Sequence, residues 1–131
     1  MTKLNLSEVD IAWLAGLFEG EAYFSLDKRP SKRYKNSTAP PAPFIKISMV
    51  DEDVIARVAD LLNKNYFSPS RLTVKNKKVY VCHIGDRQTL VYLFPKILPY
   101  MGKRRKEIIK TCIKELENWK KWKIENSKNN E

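Results

Sequence analysis

The sequence predicts an α+β domain of order α-β-β-α-β-β-α(-α), with four antiparallel strands and the helices on one face of the sheet. Three observations lead there. Ser7, Asp51 and Asp86 each stand just before an apolar run with helical spacing, where a helix cap belongs. Between those runs lie pairs of short segments in which apolar and polar residues alternate. The chain has 131 residues, 43 % of them hydrophobic, enough for one ordinary core and no more. The domain is expected over residues 1–124, followed by a polar tail at 125–131.

The first helix begins at Ser7, where "SEVD" sets Asp10 three residues on in a capping-box pattern. It continues as IAWLAGLF, apolar on every side, so it must be covered on every side. Ala12, Gly16 and Gly20 recur every four residues and form a stripe of small side chains. Such a stripe admits close approach of a second helix, from this chain or from another copy of it. After Ala22 the pattern alternates: Phe24 and Leu26 to one side, Ser25, Asp27 and Arg29 to the other. Residues 30–43 contain four prolines and read as a loop. FIKISM alternates again, with Ile45, Ile47 and Met49 inward and Phe44, Lys46 and Ser48 outward. Asp51 opens a helix with apolar positions Val54, Ile55, Val58, Leu61 and Leu62.

The second half repeats the order. RLTVK and KVYVCHI are strands joined by a short turn containing "NK". Leu72 and Val74 face the core and Arg71, Thr73 and Lys75 face out; in the second strand Lys78 and Tyr80 are assigned outward. Asp86 caps a helix with Leu90, Leu93 and Phe94, which Pro95 kinks or ends. A last helix runs from about Lys103 through Trp122. The outer sheet face thus carries Arg29, Lys46, Arg71, Thr73 and Lys75, a surface suited to a phosphate backbone with polar groups left for base edges.

Charge supports that reading. There are 25 basic and 15 acidic side chains, a formal net charge of +10. Such an excess attracts a polyanion, nucleic acid or an acidic membrane surface. No apolar run is long enough to span a bilayer, and the start lacks the pattern of a secretory signal, so an intracellular protein with no membrane partner is expected. Two cysteines and one histidine argue against a disulfide framework, a zinc cluster or a histidine-based triad. Cys82 and Cys112 read as core fillers, His83 as a packed or surface residue, and Trp119 and Trp122 as helix-packing residues.

One segment runs against the basic balance. Residues 1–24 hold Glu8, Asp10, Glu19 and Glu21 against Lys3, a local net of −3. In "LAGLFEGEAYF", Leu14 to Phe24, two carboxylates stand near a helix end. There each costs about 0.3–1 kcal/mol against the helix dipole if exposed. In a chain that binds DNA they also repel phosphate unless a hard divalent cation lies between.

The same segment resembles the signature of the LAGLIDADG homing endonucleases: Leu14, Ala15, Gly16 and Leu17, then an acidic pair flanking Gly20, then a strand. The element order is that family's as well, over nearly the whole chain. The motif occurs once, so the resemblance is to single-motif members, which work as homodimers. It implies a saddle-shaped sheet lying in the major groove of a long, roughly palindromic double-stranded target. It implies motif helices paired at the dimer interface through Ala12, Gly16 and Gly20, with Trp13 and Leu17 beside them. It makes Glu21 the catalytic metal ligand, for Mg2+ or Mn2+, with the Gly20 carbonyl as a second ligand. A basic catalytic position maps onto Arg104, or Lys103. DNA contacts fall to Ser25, Asp27, Arg29, Lys46, Ser48, Arg71, Thr73, Lys75, Lys78 and Tyr80. Three positions depart from the pattern. Glu21 replaces the commoner Asp, and Ala22 replaces a Gly that permits a left-handed cap. Met49 stands where some relatives have a Gln that positions water.

The function implied is a staggered double-strand break made by metal-dependent phosphodiester hydrolysis. The gene would belong to a mobile element such as an intron, acting in a bacterium, a phage-infected cell or an organelle. The rival reading is a relative that keeps the saddle and binds DNA or RNA with little or no cutting, as a maturase or regulator.

Overall fold

The computed structural model describes residues 4–28, 38–70 and 76–129. Helix α1, Glu8–Glu21, starts where Ser7 is extended and its hydroxyl accepts the Asp10 N–H at 3.1 Å. Strand β1, Ala22–Asp27, follows without a loop, because Ala22 is already extended at φ −87°, ψ 152°. Strand β2 spans Ala42–Met49, so it begins inside the segment read as loop. Pro43 is tolerated there: it pairs with Leu26 of β1, and the pairing of β2 with its other neighbour starts only at Ile45. Helix α2, Glu52–Leu61, has Asp51 at its cap position, though that side chain makes no capping bond.

Strand β3, Tyr80–Ile84, completes an antiparallel sheet of order β1-β2-β3 among the described residues. The other predicted strand, residues 71–75, lies outside the described residues. On the described residues to either side, Asn76 has a left-handed φ of 59°, and Phe67 bridges Val81. Helix α3, Arg87–Ile97, is capped by Asp86, whose carboxylate accepts from the Thr89 N–H at 3.1 Å and its hydroxyl at 2.6 Å. It runs through Pro95 to Ile97, so the proline does not end it, one of the two outcomes expected there. The missing N–H falls in the last turn, where Leu93, Phe94 and Ile97 are fully buried and hold the backbone in place. A 3-10 turn, Leu98–Tyr100, leads to α4, Lys103–Asn129. That helix outruns the expected end at Trp122 and passes through the predicted tail boundary. Trp119 lies under the Arg87 guanidinium at 3.9 Å, and the Asn126 side chain donates back to the Trp122 carbonyl at 2.8 Å.

The helices cover one sheet face. The core is formed by Ile11, Leu14, Ala15 and Phe18 of α1, Phe24, Ile45, Ile47, Cys82 and Ile84 of the sheet, and Ile55, Val58, Leu90, Phe94, Ile109 and Cys112 of the other helices. Full burial of each large side chain favours folding by about 1.5–3 kcal/mol. Phe24 links the layers, edge-on to Phe18 at 6.3 Å and tilted against Phe94 at 6.5 Å. This packing fixes the end of α1 against the sheet; on the opposite face Tyr23, Lys46, Ser48 and His83 are exposed among the described residues, while Val81 is buried where Phe67 bridges it.

Candidate nucleic-acid interface and carboxylate site

The outer sheet face follows from register. With Phe24, Ile45, Ile47, Cys82 and Ile84 inward, alternation sends Tyr23, Ser25 and Asp27, then Phe44, Lys46 and Ser48, then Val81 and His83 outward. Lys46 sits between Tyr23 and His83 in the pairing, and Lys46 and Ser48 are exposed. The expected outward set of β3 is therefore corrected. Tyr80 shares the phase of Cys82 and Ile84, pairs with Met49 and packs against the core edge. Both phases of KVYVCHI contain apolar residues, so period alone could not choose. Lys78 is exposed just ahead of the strand, its ammonium 5.5 Å from the Tyr80 ring. Arg29, Arg71, Thr73 and Lys75 lie outside the described residues.

The sequence sends Phe44 to this face but leaves its two ring neighbours, Tyr23 and His83, unassigned. Phe44 stacks on His83 with centroids 5.2 Å apart, and Tyr23 meets Phe44 edge-on at 6.0 Å. Tyr23 was legible, since it shares the phase of Ser25. His83 needed the correct phase of β3.

The face of α1 opposite the core carries Val9, Ala12, Gly16 and Gly20, all exposed, with Val9 at 74 %. A Cβ built on Gly16 or Gly20 meets nothing within 4 Å, so packing among the described residues does not call for either glycine. Trp13 and Leu17 flank the stripe and are half-buried; Trp13 lies under the Arg57 guanidinium of α2 at 3.9 Å. The all-round cover expected for α1 is thus absent within the described residues of this chain.

At the end of α1 the two carboxylates part company. The Glu19 carboxylate accepts the Gly102 N–H at 3.2 Å and lies 4.0 Å from the Arg105 guanidinium, both at the start of α4. Glu21 is exposed, and among the described residues no hydrogen bond or ion pair reaches it. Lys103 and Arg104 are exposed in the first turn of α4, beside the Glu19 contact. The Ala22 departure costs nothing: the helix closes through an extended residue whose N–H donates to the Phe18 carbonyl, so no left-handed cap is needed. Met49 is half-buried against the core and offers no polar atom, while Ser48 faces away.

Among the described residues no group of three or more His, Cys, Asp or Glu side chains could enclose a metal ion. Glu21 and the carbonyl of Gly20 are oxygen donors of the kind hard divalent cations take, open to solvent and leaving most of a coordination sphere to ligands from elsewhere. The donor chemistry fits one side of such a site, shared with a phosphate or a second chain.

A family model described as a LAGLIDADG-like domain matches residues 8–98, which takes in α1, the three strands and α3. The chain belongs to the LAGLIDADG-like family. Among solved structures, this LAGLIDADG chain is similar to the group I intron-encoded homing endonuclease I-CeuI complexed with DNA, with a TM-score of 0.64 at 15 % identity over 92 % of this chain. It spans 59 % of the I-CeuI chain's length. It is also similar to the homing endonuclease I-CvuI bound to its target in the presence of Ca, with a TM-score of 0.59 at 13 % identity over 88 % of this chain and 71 % of that one. An archaeal intron-encoded homing endonuclease, I-Vdi141I, complexed with DNA, gives 0.57 at 15 % identity over 78 % and 64 %. At these identities the likeness establishes the fold. A comparison with curated proteins finds no match. No helix among the described residues is long and apolar enough to cross a membrane.

Proposed function

We propose that this LAGLIDADG chain is a site-specific DNA endonuclease that works as a homodimer. Each copy would lay its open sheet face along half of a long, roughly palindromic duplex, inside a bacterium, a phage-infected cell or an organelle. The observation that carries the reading is Glu21: an exposed carboxylate with no partner among the described residues, at the end of a helix whose glycine face those residues leave bare, in a protein of net charge +10. Pairing α1 with its copy covers the glycine face and brings the two Glu21 side chains toward one axis, one for each DNA strand. Glu21 and the Gly20 carbonyl would hold one side of a divalent-ion site, leaving its remaining positions to ligands from outside the chain. When bound, Mg2+ or Mn2+ offsets the repulsion between carboxylate and phosphate and favours attack of water on phosphorus. Lys103 and Arg104 stabilise charge on the phosphate as it develops. Lys46, Ser25 and Ser48 hold the backbone and base edges along the sheet. Opposed cuts give a staggered double-strand break.

The test is cleavage of a site selected from a randomised library with Mg2+ or Mn2+. Glu21→Gln should abolish cutting while DNA binding is kept. A wild-type protein that binds its selected site and leaves it uncut with either ion would support the non-cutting relative instead. The observation favouring that second reading is Met49, an apolar side chain packed inward at the position where some family members place a water-ordering amide.

A further inference from the structure

We propose that Glu19 is a positioning residue, whose carboxylate fixes the basic first turn of α4 against the end of α1 that carries Glu21. The inference rests on the endonuclease reading above and deepens it by giving the two carboxylates of the motif separate tasks. Gly102 is where α4 starts, since its carbonyl accepts the Lys106 N–H at 2.9 Å. The Gly102 N–H donates to Glu19 Oε2 at 3.2 Å, and the Arg105 guanidinium lies 4.0 Å from Oε1. One of the N–H groups that a helix start leaves open is thus satisfied by a side chain far away in sequence. The charge also lies between two helix ends of opposite polarity. The end of α1 disfavours it and the start of α4 favours it. That difference holds the Glu19 side chain to the α4 side and leaves Glu21 alone at the open edge.

Gly102 meets the carboxylate through its backbone N–H, and a side chain there would push the flexible end of Glu19 aside. A Cβ there would come within 2.7 Å of Glu19 Oε1, and no described glycine has a positive φ. Glycine at this position makes room for the carboxylate; it does not serve an unusual turn. Lys103 and Arg104 follow directly, so their backbone is set by the same contact. A shift of about 1 Å in a charge-stabilising group slows a reaction far more than it weakens binding, because the geometry matters most in the transition state.

The experiment uses the full chain on its selected duplex with Mg2+ and compares three variants. Glu19→Ala removes the carboxylate. Gly102→Ala keeps it and displaces it. Glu19→Gln keeps an oxygen that accepts the Gly102 N–H. Glu19→Ala and Gly102→Ala should cut at least ~10-fold more slowly at saturating DNA, with Kd within ~3-fold of wild type, while Glu19→Gln stays within ~3-fold on both counts. Ca2+ affinity of the DNA complex, read by titration calorimetry, should be unchanged in all three and lost in Glu21→Gln. The proposal is overturned if Glu19→Gln is as slow as Glu19→Ala and also weakens Ca2+ binding, which would make Glu19 a ligand. It is overturned equally if Glu19→Ala and Gly102→Ala cut at the wild-type rate, or if their slower cutting is matched by equal losses of DNA affinity and thermal stability. A wild-type protein that never cuts rejects the endonuclease reading itself, and this inference with it. Cutting that survives Glu21→Gln rejects only the role of Glu21 and leaves the Glu19 comparison standing.

Discussion

Replacing Gly16 with Leu sets two opposite expectations on one helix. Within a single chain, position 16 is exposed and has no atom within 4 Å of an added Cβ. Glycine inside a helix costs about 0.5–1 kcal/mol relative to Ala, and Leu is nearly as good a helix former as Ala. A lone protomer carrying Gly16→Leu should therefore be more stable by about 0.5–1 kcal/mol, raising Tm by about 2–4 °C. In a dimer paired through α1 the same side chain enters a seam shaped for hydrogen atoms. Overpacking costs about 1–3 kcal/mol per inserted side chain. A two-fold seam meets the side chain twice, so association weakens by about 2–6 kcal/mol, or about 30- to 10^4-fold in Kd. Sedimentation velocity over a concentration series, with and without duplex, reads the second number, and a thermal scan at low concentration reads the first. The reasoning fails if the wild-type protein stays monomeric at every concentration and on DNA. It fails equally if Gly16→Leu associates as tightly as wild type.

Three further outcomes follow from the geometry. Asp86→Ala removes the bonds to the Thr89 N–H and hydroxyl and should cost about 0.5–2 kcal/mol in urea unfolding. Burial pushes the Asp86 carboxyl up, but its bonds with Lys64 and Thr89 outweigh this and hold it below the usual range. Because the folded value is depressed, the contribution is complete above the unfolded carboxyl pKa of about 3.9 and fades as pH falls through the lower folded value, so wild type and Asp86→Ala should converge in acid. Burial, with Glu115 adding to it, pushes the Cys112 thiol up to about 11, so at pH 8 a thiol reagent should label it only after unfolding; rapid labelling of the native protein would contradict its place in the core. Lys46→Ala should lower the slope of log K against log salt by about 1 per protomer, across all DNA sequences; an unchanged slope would remove Lys46 from the phosphate contacts.

Local rules carried most of the fold. Ser7 and Asp86 cap as their positions demand, and Phe24, Ile45 and Ile47 point inward as alternation requires. The misses occur where two physical signals compete. In β3 both phases are apolar, and the choice was made by tertiary burial of Cys82 and Ile84, which no local pattern encodes. Pro95 is a helix breaker by rule, yet it stands in a last turn pinned by fully buried neighbours. The polar sequence beyond Trp122 carries no packing signal, yet α4 runs on to Asn129, with the Asn126 side chain donating to the Trp122 carbonyl. At the site, the acidic pair was legible as an anomaly. The division of labour within it was not, since the partner of Glu19 is Gly102, remote in sequence and without a side chain to signal the contact.

The two acids at the end of α1 also differ in how their charge is met among the described residues. Both begin with the same cost, a negative charge at the negative end of a helix dipole. Glu19 recovers it at the start of α4. Glu21 does not, and the extended conformation of Ala22 shows that no backbone strain at the junction forces the residue type there. Glu21 lies on the same helix as a glycine face that no described residue covers, which is also a local deficit: two helix-weakening residues without a packing use among the described residues. Either feature alone has ordinary explanations in solvation or chance. Together they have one remedy. In the proposed dimer, a second α1 laid along the first would cover the glycines and carry the two Glu21 side chains to a common edge, where phosphates and divalent ions would supply the missing charge. If that pairing is prevented, as in Gly16→Leu, cutting should be lost while each protomer becomes more stable, a combination that damage to the fold cannot produce.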